Sequence, residues 1–594
     1  MDHMTTTSSL TPTLRGGEWL LHATDPATVF TPEKLTEEHR LIAQTVTDFV
    51  NNDVLPVLDR LEQKDWVLAR DLVRRCSELG LLSADVPEVY GGVQLDKVSS
   101  MVVSERIAPS ASFGATWGAQ ANLTVLPLVL FGTDAQKRKY LPPLMSGDMI
   151  GAYCLSEPGS GSDALGARTR ATRQSDGSFV LNGEKAWITN GGFADVYIVF
   201  CKVDGEHFTA FIVERAFGAT NGKEEHKLGL HGSSTTPVIL QDVRVPAENL
   251  LGEIGKGHKI AFNVLNFARF KLGAMCVGGA VCGIGEAARY AGQRKQFGQP
   301  IASFGAIKHK LGEMVARAYA VQSLVYRTAG LIDARIDATP HDPADPSVAL
   351  ATLEEYAIEA SIAKVAGSEM LDFVLDENIQ IHGGNGYVRD YPAERHYRDS
   401  RVNRIFEGTN EINRLLIPGM LARRAAKGEI GIIAAAKALQ EELLGPPAIV
   451  AGDGSLLGDE QRTVESLKKA ALMVLGLGMQ TYRDGLADQQ EVLMHLADML
   501  MDTFAAESAV LRARAASGAS RAGMHVAAAR IFVNDAAMRV EASARQALAA
   551  MAEGDTLRTT LAALRRLFKQ LPVNTAALRR TLADEAVARG GYAF

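Results

Sequence analysis

All the strand signal in this 594-residue chain is confined to one block. From about residue 149 to 252, runs such as "SFVLNGEKAWITNGGFADVYIVFCKV", "FTAFIVER" and "TTPVILQDVRVP" are rich in β-branched and aromatic residues, and Asn190-Gly191-Gly192 supplies a turn. On either side, apolar residues recur every three or four positions, the helical period. A parallel sheet needs strands that alternate with crossover helices, so that architecture is excluded. What remains is an α+β chain with a β insert.

The length is too great for one core. We divide it into an extended or disordered segment (1–30), an N-terminal helical domain (31–148), a middle β domain (149–253), a C-terminal domain resembling a four-helix bundle (254–430) and an extra helical domain (431–594). In "TPEKLTEEHRLIAQ", Thr31 is the expected N-cap and Pro32 the first helical residue. "PHDPADPS" (340–347) reads as an interhelical loop and "GPPAIVAGDGSLLG" (445–458) as the clearest linker.

Charge removes several classes of function. The net charge of −7 gives no basic footprint for nucleic acid, so an anionic ligand must be met by local donors. The five cysteines form no C-x-x-C pair, and the thirteen histidines no H-E-x-x-H, so no metal is expected and the thiols read as reduced. The N-terminus lacks an apolar signal region. The uncharged, glycine-rich stretch at about 272–285 is too short to span a bilayer. These readings favour a cytoplasmic location and little membrane contact.

Several stretches are rich in the residues that make sites. "GIGEAA" (283–288) matches a dinucleotide fingerprint, but no strand precedes it, so helix packing explains it better. "YCLSEPGSGSDALG" (153–166) offers backbone N–H groups and the hydroxyls of Ser156 and Ser162, or serves only as a turn. In "GEKAWITNGG", Trp187 and Thr189 face one side of a strand, which suits a flat ring with polar edges or a core tryptophan. "RKQFGQPI" sets Arg294 beside Phe297, as a phosphate clamp or a solvated helix end. "QIHGGNGYVRDYP" includes Gln380 and Gly384. "RIFEGTNEI" places Glu407 behind apolar Ile405 and Phe406 and ahead of Gly408. No second acid or histidine forms a dyad with it. A working Glu407 acts alone, as a base tuned by desolvation, against a weakly acidic C–H.

In this order and register, "YCLSEPGSGSD", "GEKAWITNG", "RKQFG", "QIHGGNGY" and "IFEGTNEI" together resemble the acyl-CoA dehydrogenase flavoproteins over about residues 31–425. The resemblance implies FAD as cofactor and Glu407 as the base that takes the α-proton of an acyl-CoA thioester while the β-hydrogen leaves to the flavin. It implies that Ser156, Ser162, Trp187, Thr189, Thr409 and Glu411 meet FAD, that Arg294 and Phe297 meet its pyrophosphate and adenosine end, and that Gln380 and Gly384 belong to a segment that reaches FAD across a subunit interface. Ser162, Asn266, Arg269 and Gly408 would meet the substrate. The family often has Asp at position 266. Members that carry the base on the earlier helix place it just before the arginine, where this chain has Ala268.

The tail beyond 430 resembles the very-long-chain branch and its assembly-factor relative, which implies a homodimer. That branch has glycines where this chain has Thr124 and Pro127, so those two residues are expected to close the pocket floor and favour medium-to-long acyl chains. The implied electron acceptor is electron-transfer flavoprotein. The alternatives are an acyl-CoA oxidase, or an assembly or scaffold protein with residual activity.

Overall fold

The computed structural model describes residues 14–445 and 454–594. Residues 446–453 of the expected linker lie outside the described residues. Short helices run from Glu37 to Met145, and among them α1 (Ala111–Gln120) faces the later cavity. The first long helix opens at Glu37, not at Pro32. Thr31 caps only a 3-10 turn, because Leu35 turns extended. The true cap is Thr36, whose hydroxyl accepts from the His39 N–H at 3.3 Å in a reciprocal capping box.

The 1–30 segment needs a correction over residues 14–30. Trp19 and Leu20 are buried, and the Trp19 ring lies 4.8 Å from Phe504. The Gly16 and Gly17 N–H groups donate to Glu355 and Glu359 at 2.9 and 2.7 Å. The Ser/Thr-rich composition concealed an anchor made of two apolar side chains.

The middle domain is one sheet in the order β6-β7-β3-β2-β4-β5-β8, with β1 parallel to β4. Its strands are β1 (Gly151–Cys154), β2 (Arg170–Arg173), β3 (Phe179–Thr189), β4 (Val196–Val203), β5 (His207–Glu214), β6 (Thr220–Asn221), β7 (Thr235–Val245) and β8 (Leu250–Leu251). Central β4 is buried on both faces, as its unbroken apolar run requires.

The C-terminal half is helical: α2 (Gly257–Gln293), α3 (Gly305–Asp337), α4 (Ala357–His382), α5 (Pro392–Ser400), α6 (Asn410–Ala426), α7 (Gly458–Tyr482), α8 (Gln490–Ala515), α9 (Ala522–Met551) and α10 (Thr575–Arg589). Residues 283–288 lie inside α2 and form no strand-to-helix turn. The glycines of α2 let neighbours approach: a Cβ on Gly278 would fall 1.9 Å from the Glu105 carbonyl oxygen, and one on Gly283 2.7 Å from Leu375. By length and composition α2 could cross a membrane, with mean hydropathy 1.4 over its best window, but 78% of that window is buried inside the fold. The amphipathic stretch 527–548 lies in α9, where its apolar face packs into the same core as α8.

The helices after residue 457 are bound to the bundle by ion pairs, the first of them buried. Glu507 on α8 meets both Arg327 of α3 and Lys468 of α7. Arg414 of α6 bridges Glu369 of α4 and Asp498 of α8.

Candidate active site

Helix α6 begins at Asn410 because Thr409 caps it, accepting from the Ile412 N–H at 3.3 Å. The chain reaches that cap through two left-handed residues, Glu407 (φ 56°) and Gly408 (φ 80°). A glutamate is unusual there. Three side chains hold it by its main chain. Arg269 of α2 donates to the Glu407 carbonyl at 3.0 Å, while Lys364 of α4 and Asn413 of α6 each donate to the Gly408 carbonyl at 2.8 Å. Space is tight: a Cβ on Gly408 would sit 3.1 Å from Asn413 Nδ2 and 3.3 Å from an Arg269 nitrogen.

Both cations are therefore hydrogen-bonded to carbonyls. The half-buried Glu407 side chain is left at the cavity wall, with Oε2 buried and lacking any hydrogen-bond partner. Burial pushes the Glu407 pKa up to about 7, against the pull of Arg269 and Lys364. Burial likewise brings Lys364 down to about 8. Arg269 also donates to Asn266 Oδ1 at 3.1 Å. Ala268 carries no proton-transfer group, as its sequence position implied.

Glu407 opens on a cavity of about 130 Å³ lined also by Thr189, Ala268, Leu272, Met275 and Phe406. Across it lies the β domain. An irregular register in β3 between Lys185 and Ile188 puts Trp187 at φ 57° with its indole 59% exposed, while Ile188 turns inward. Trp187 and Thr189 thus share the outer side. The serine loop is tied to the same strand: the Ser156 carbonyl accepts from the Ala186 N–H at 3.0 Å, and Glu157 pairs with buried Lys185 at 2.7 Å. Ser162 is exposed at the loop tip. Glu411 stands in the first turn of α6.

The remaining predicted residues gather elsewhere. Arg294 ends α2, Phe297 follows it 93% exposed, Gln380 ends α4 and Gly384 lies in the next turn. Tyr290 links the two helix ends, donating to the His382 carbonyl at 3.2 Å and accepting from Asn385 at 3.0 Å. At 1.5 Å per residue, Arg294 lies about 38 Å along α2 from Arg269. One chain does not bring this group to Glu407.

Thr124 and Pro127 need a correction, for neither lines the cavity. A π-helical turn over Ala121–Val125 directs Thr124 away, where its hydroxyl donates to the Ala119 carbonyl at 2.9 Å and its methyl packs on Gly151. The sequence reading also missed Lys364, Asn413 and Tyr153. Tyr153 has a buried, unpartnered hydroxyl whose pKa is raised by burial and by the Glu407 charge. A lone lysine in the apolar run "EASIAKVAG" was the available signal for Lys364.

Fold and site together define an α+β protein with one desolvated base between a helical bundle and an open, aromatic sheet face. Models of the acyl-CoA dehydrogenase N-terminal, middle and C-terminal domains match residues 36–148, 152–243 and 255–421, and a further acyl-CoA dehydrogenase C-terminal domain model matches 466–566. A probable acyl-CoA dehydrogenase of Bacillus subtilis is 47% identical over 96% of this chain and 97% of its own. The crystal structure of an acyl-CoA dehydrogenase complexed with FAD from Bacillus anthracis superposes with a TM-score of 0.95 at 47% identity, covering 98% of this chain and all of that one. Butyryl-CoA dehydrogenase from Megasphaera elsdenii matches at 38% identity and a TM-score of 0.59, over 65% of this chain and 99% of its own. The chain belongs to the acyl-CoA dehydrogenase family.

Proposed function

We propose that this protein is an FAD-dependent dehydrogenase that converts saturated acyl-CoA thioesters to trans-2-enoyl-CoA. The observation that carries the reading is Glu407, desolvated, unpartnered at Oε2 and brought to about pKa 7 at the cavity wall. Its carboxylate takes the α-proton of the thioester. Its own backbone N–H donates to no group among the described residues and so remains available to the thioester oxygen as charge develops there. FAD, when bound, accepts the β-hydrogen with its electron pair. The residues fit that group: Trp187 presents an open indole, Thr189 a hydroxyl at the cavity, and the serine loop lies against the same strand.

Arg294, Phe297, Gln380 and Gly384 fit the cofactor's far end only if they come from a second copy, so we read the working unit as a homodimer. Electron-transfer flavoprotein is the proposed acceptor. The cytoplasmic reading rests on the five cysteines, all of which are free thiols. Medium-to-long chains are the proposed substrates. The cavity lining runs along α2 from Ala268 to Cys282, about 21 Å at helical rise, nearer the length of an extended long chain than of a butyryl group. The glutamine variant Glu407→Gln tests the mechanism. It should retain FAD and acyl-CoA binding and lose flavin reduction by about two to four orders of magnitude. Bleaching of the flavin at the parental rate would remove Glu407 from the role.

A further inference from the structure

The far end of the cavity is not closed by apolar side chains alone. Beyond Met275 and Gly279 the lining ends on Cys282 of α2, Leu371 and Leu375 of α4, and His396 and Asp399 of α5. His396 Nδ1 stands 3.3 Å from Glu286 Oε1. Glu286 is held in turn by Asn378, which donates to its other oxygen at 2.9 Å, and the Cys282 thiol lies 3.8 Å away. The cysteine, carboxylate and imidazole atoms lie within 4.8 Å of one another although 110 residues separate His396 from Glu286. Burial opposes a charge on His396, yet the adjacent Glu286 raises its pKa above the ordinary value. Despite that proximity the buried Nδ1 makes no hydrogen bond among the described residues, and neither does the second nitrogen, Nε2.

This end poses a physical problem for a plain hydrocarbon tail. A chain that fills the cavity expels the water there. A methyl terminus then leaves the imidazole N–H without an acceptor, and a buried donor without a partner is penalised. A carboxylate terminus would face Glu286 and Asp399 together; nearby Arg395 and Arg398 are already paired with Glu62 and Glu394, which leaves one imidazole to receive it. A hydroxyl is neutral, and its oxygen accepts from the ring.

We propose that the cavity selects acyl chains whose far end carries a hydroxyl group, bound by His396. This inference rests on the acyl-CoA reading above and deepens it.

The test uses the FAD-loaded protein without oxygen and follows bleaching of the flavin. Straight-chain acyl-CoAs of increasing length are each compared with the counterpart hydroxylated at the terminal carbon and the counterpart oxidised there to a carboxylate. At the length that reaches His396, the hydroxylated chain should be favoured in apparent second-order rate by about ten-fold or more. In His396→Leu that ratio should fall to unity. Because His396→Leu leaves Glu286 without its partner, the double variant Glu286→Gln/His396→Leu is measured beside it, with FAD content and thermal melting as checks of folding. Equal or faster reduction by methyl-terminated chains at every length overturns the proposal and leaves the dehydrogenase reading intact. The fastest reduction by a carboxylate-terminated chain overturns the hydroxyl class. Failure of every acyl-CoA to bleach the flavin overturns the acyl-CoA reading and this inference with it.

Discussion

Glu407 sits in a left-handed turn, and both nearby cations are bonded to main-chain carbonyls rather than to its carboxylate. Its proton therefore leaves near neutrality, and two pH effects of opposite sign follow. Flavin reduction by acyl-CoA should rise as pH increases through about 7, following the free base. Stability should move the other way. The folded pKa lies above the ordinary value of 4.5, so the contribution of this group is complete below that value and is lost as pH rises through about 7. Rapid-mixing flavin kinetics and thermal melting across roughly pH 4–8, which brackets both the ordinary and the folded value, check the two signs. Lys364 lowers the Glu407 pKa, so Lys364→Met should displace the kinetic profile to higher pH. An unmoved profile would show that Lys364 only supports the turn. At this scale the base was legible, because Glu407, Gly408 and the apolar pair before them are contiguous. Lys364 was not, because it reaches Gly408 across 44 positions and no local spacing announces the contact. His396 and Glu286 were hidden for the same reason.

Helices here are set at their distances by glycine. On α3, a Cβ at Gly312 would fall 2.3 Å from the carbonyl oxygen of Arg579 in α10. Backbone gives way less readily than a flexible side chain. Gly312→Ala should push α10 outward at a cost of about 1–3 kcal/mol. Limited proteolysis should then release the C-terminal segment faster, and the melting temperature should fall; an unchanged cleavage pattern would mean that α10 accommodates the methyl group. Element type was readable from period alone, including the continuous helix through 283–288. Ends were less so. Thr31 and Thr36 both precede acidic residues, and only the reciprocal bond with His39 decides between them. The π-helical turn at Ala121–Val125, which redirects Thr124, has no signature in composition.

The whole molecule depends on contacts between its first and last parts. Trp19 packs on Phe504, Arg512 on α8 pairs with Glu33, and Glu507 serves both Arg327 and Lys468. Replacing Glu507 with Leu leaves two buried cations without their carboxylate. It should destabilise the chain by about 3–5 kcal/mol, read as an earlier urea midpoint with flavin release. A shift below about 1 kcal/mol would place those cations in contact with solvent. The order of helical and strand blocks was legible in the sequence, since each block has its own period. The closure of the N-terminal segment over the last helices was not, because it depends on partners hundreds of positions away.

Helix α2 carries Arg269 beside the base and Arg294 about 38 Å away at its other end. In the proposed dimer each copy of this helix would serve two different catalytic centres. This has a genetic consequence. Glu407→Gln and Arg294→Ala, each inactive alone, should complement each other when produced together. In the mixed dimer one centre would combine the intact base of one copy with the intact arginine of the other, and the second centre would carry both lesions. Coexpression should therefore restore activity to half the centres of each mixed dimer, whereas both changes on a single chain should restore none.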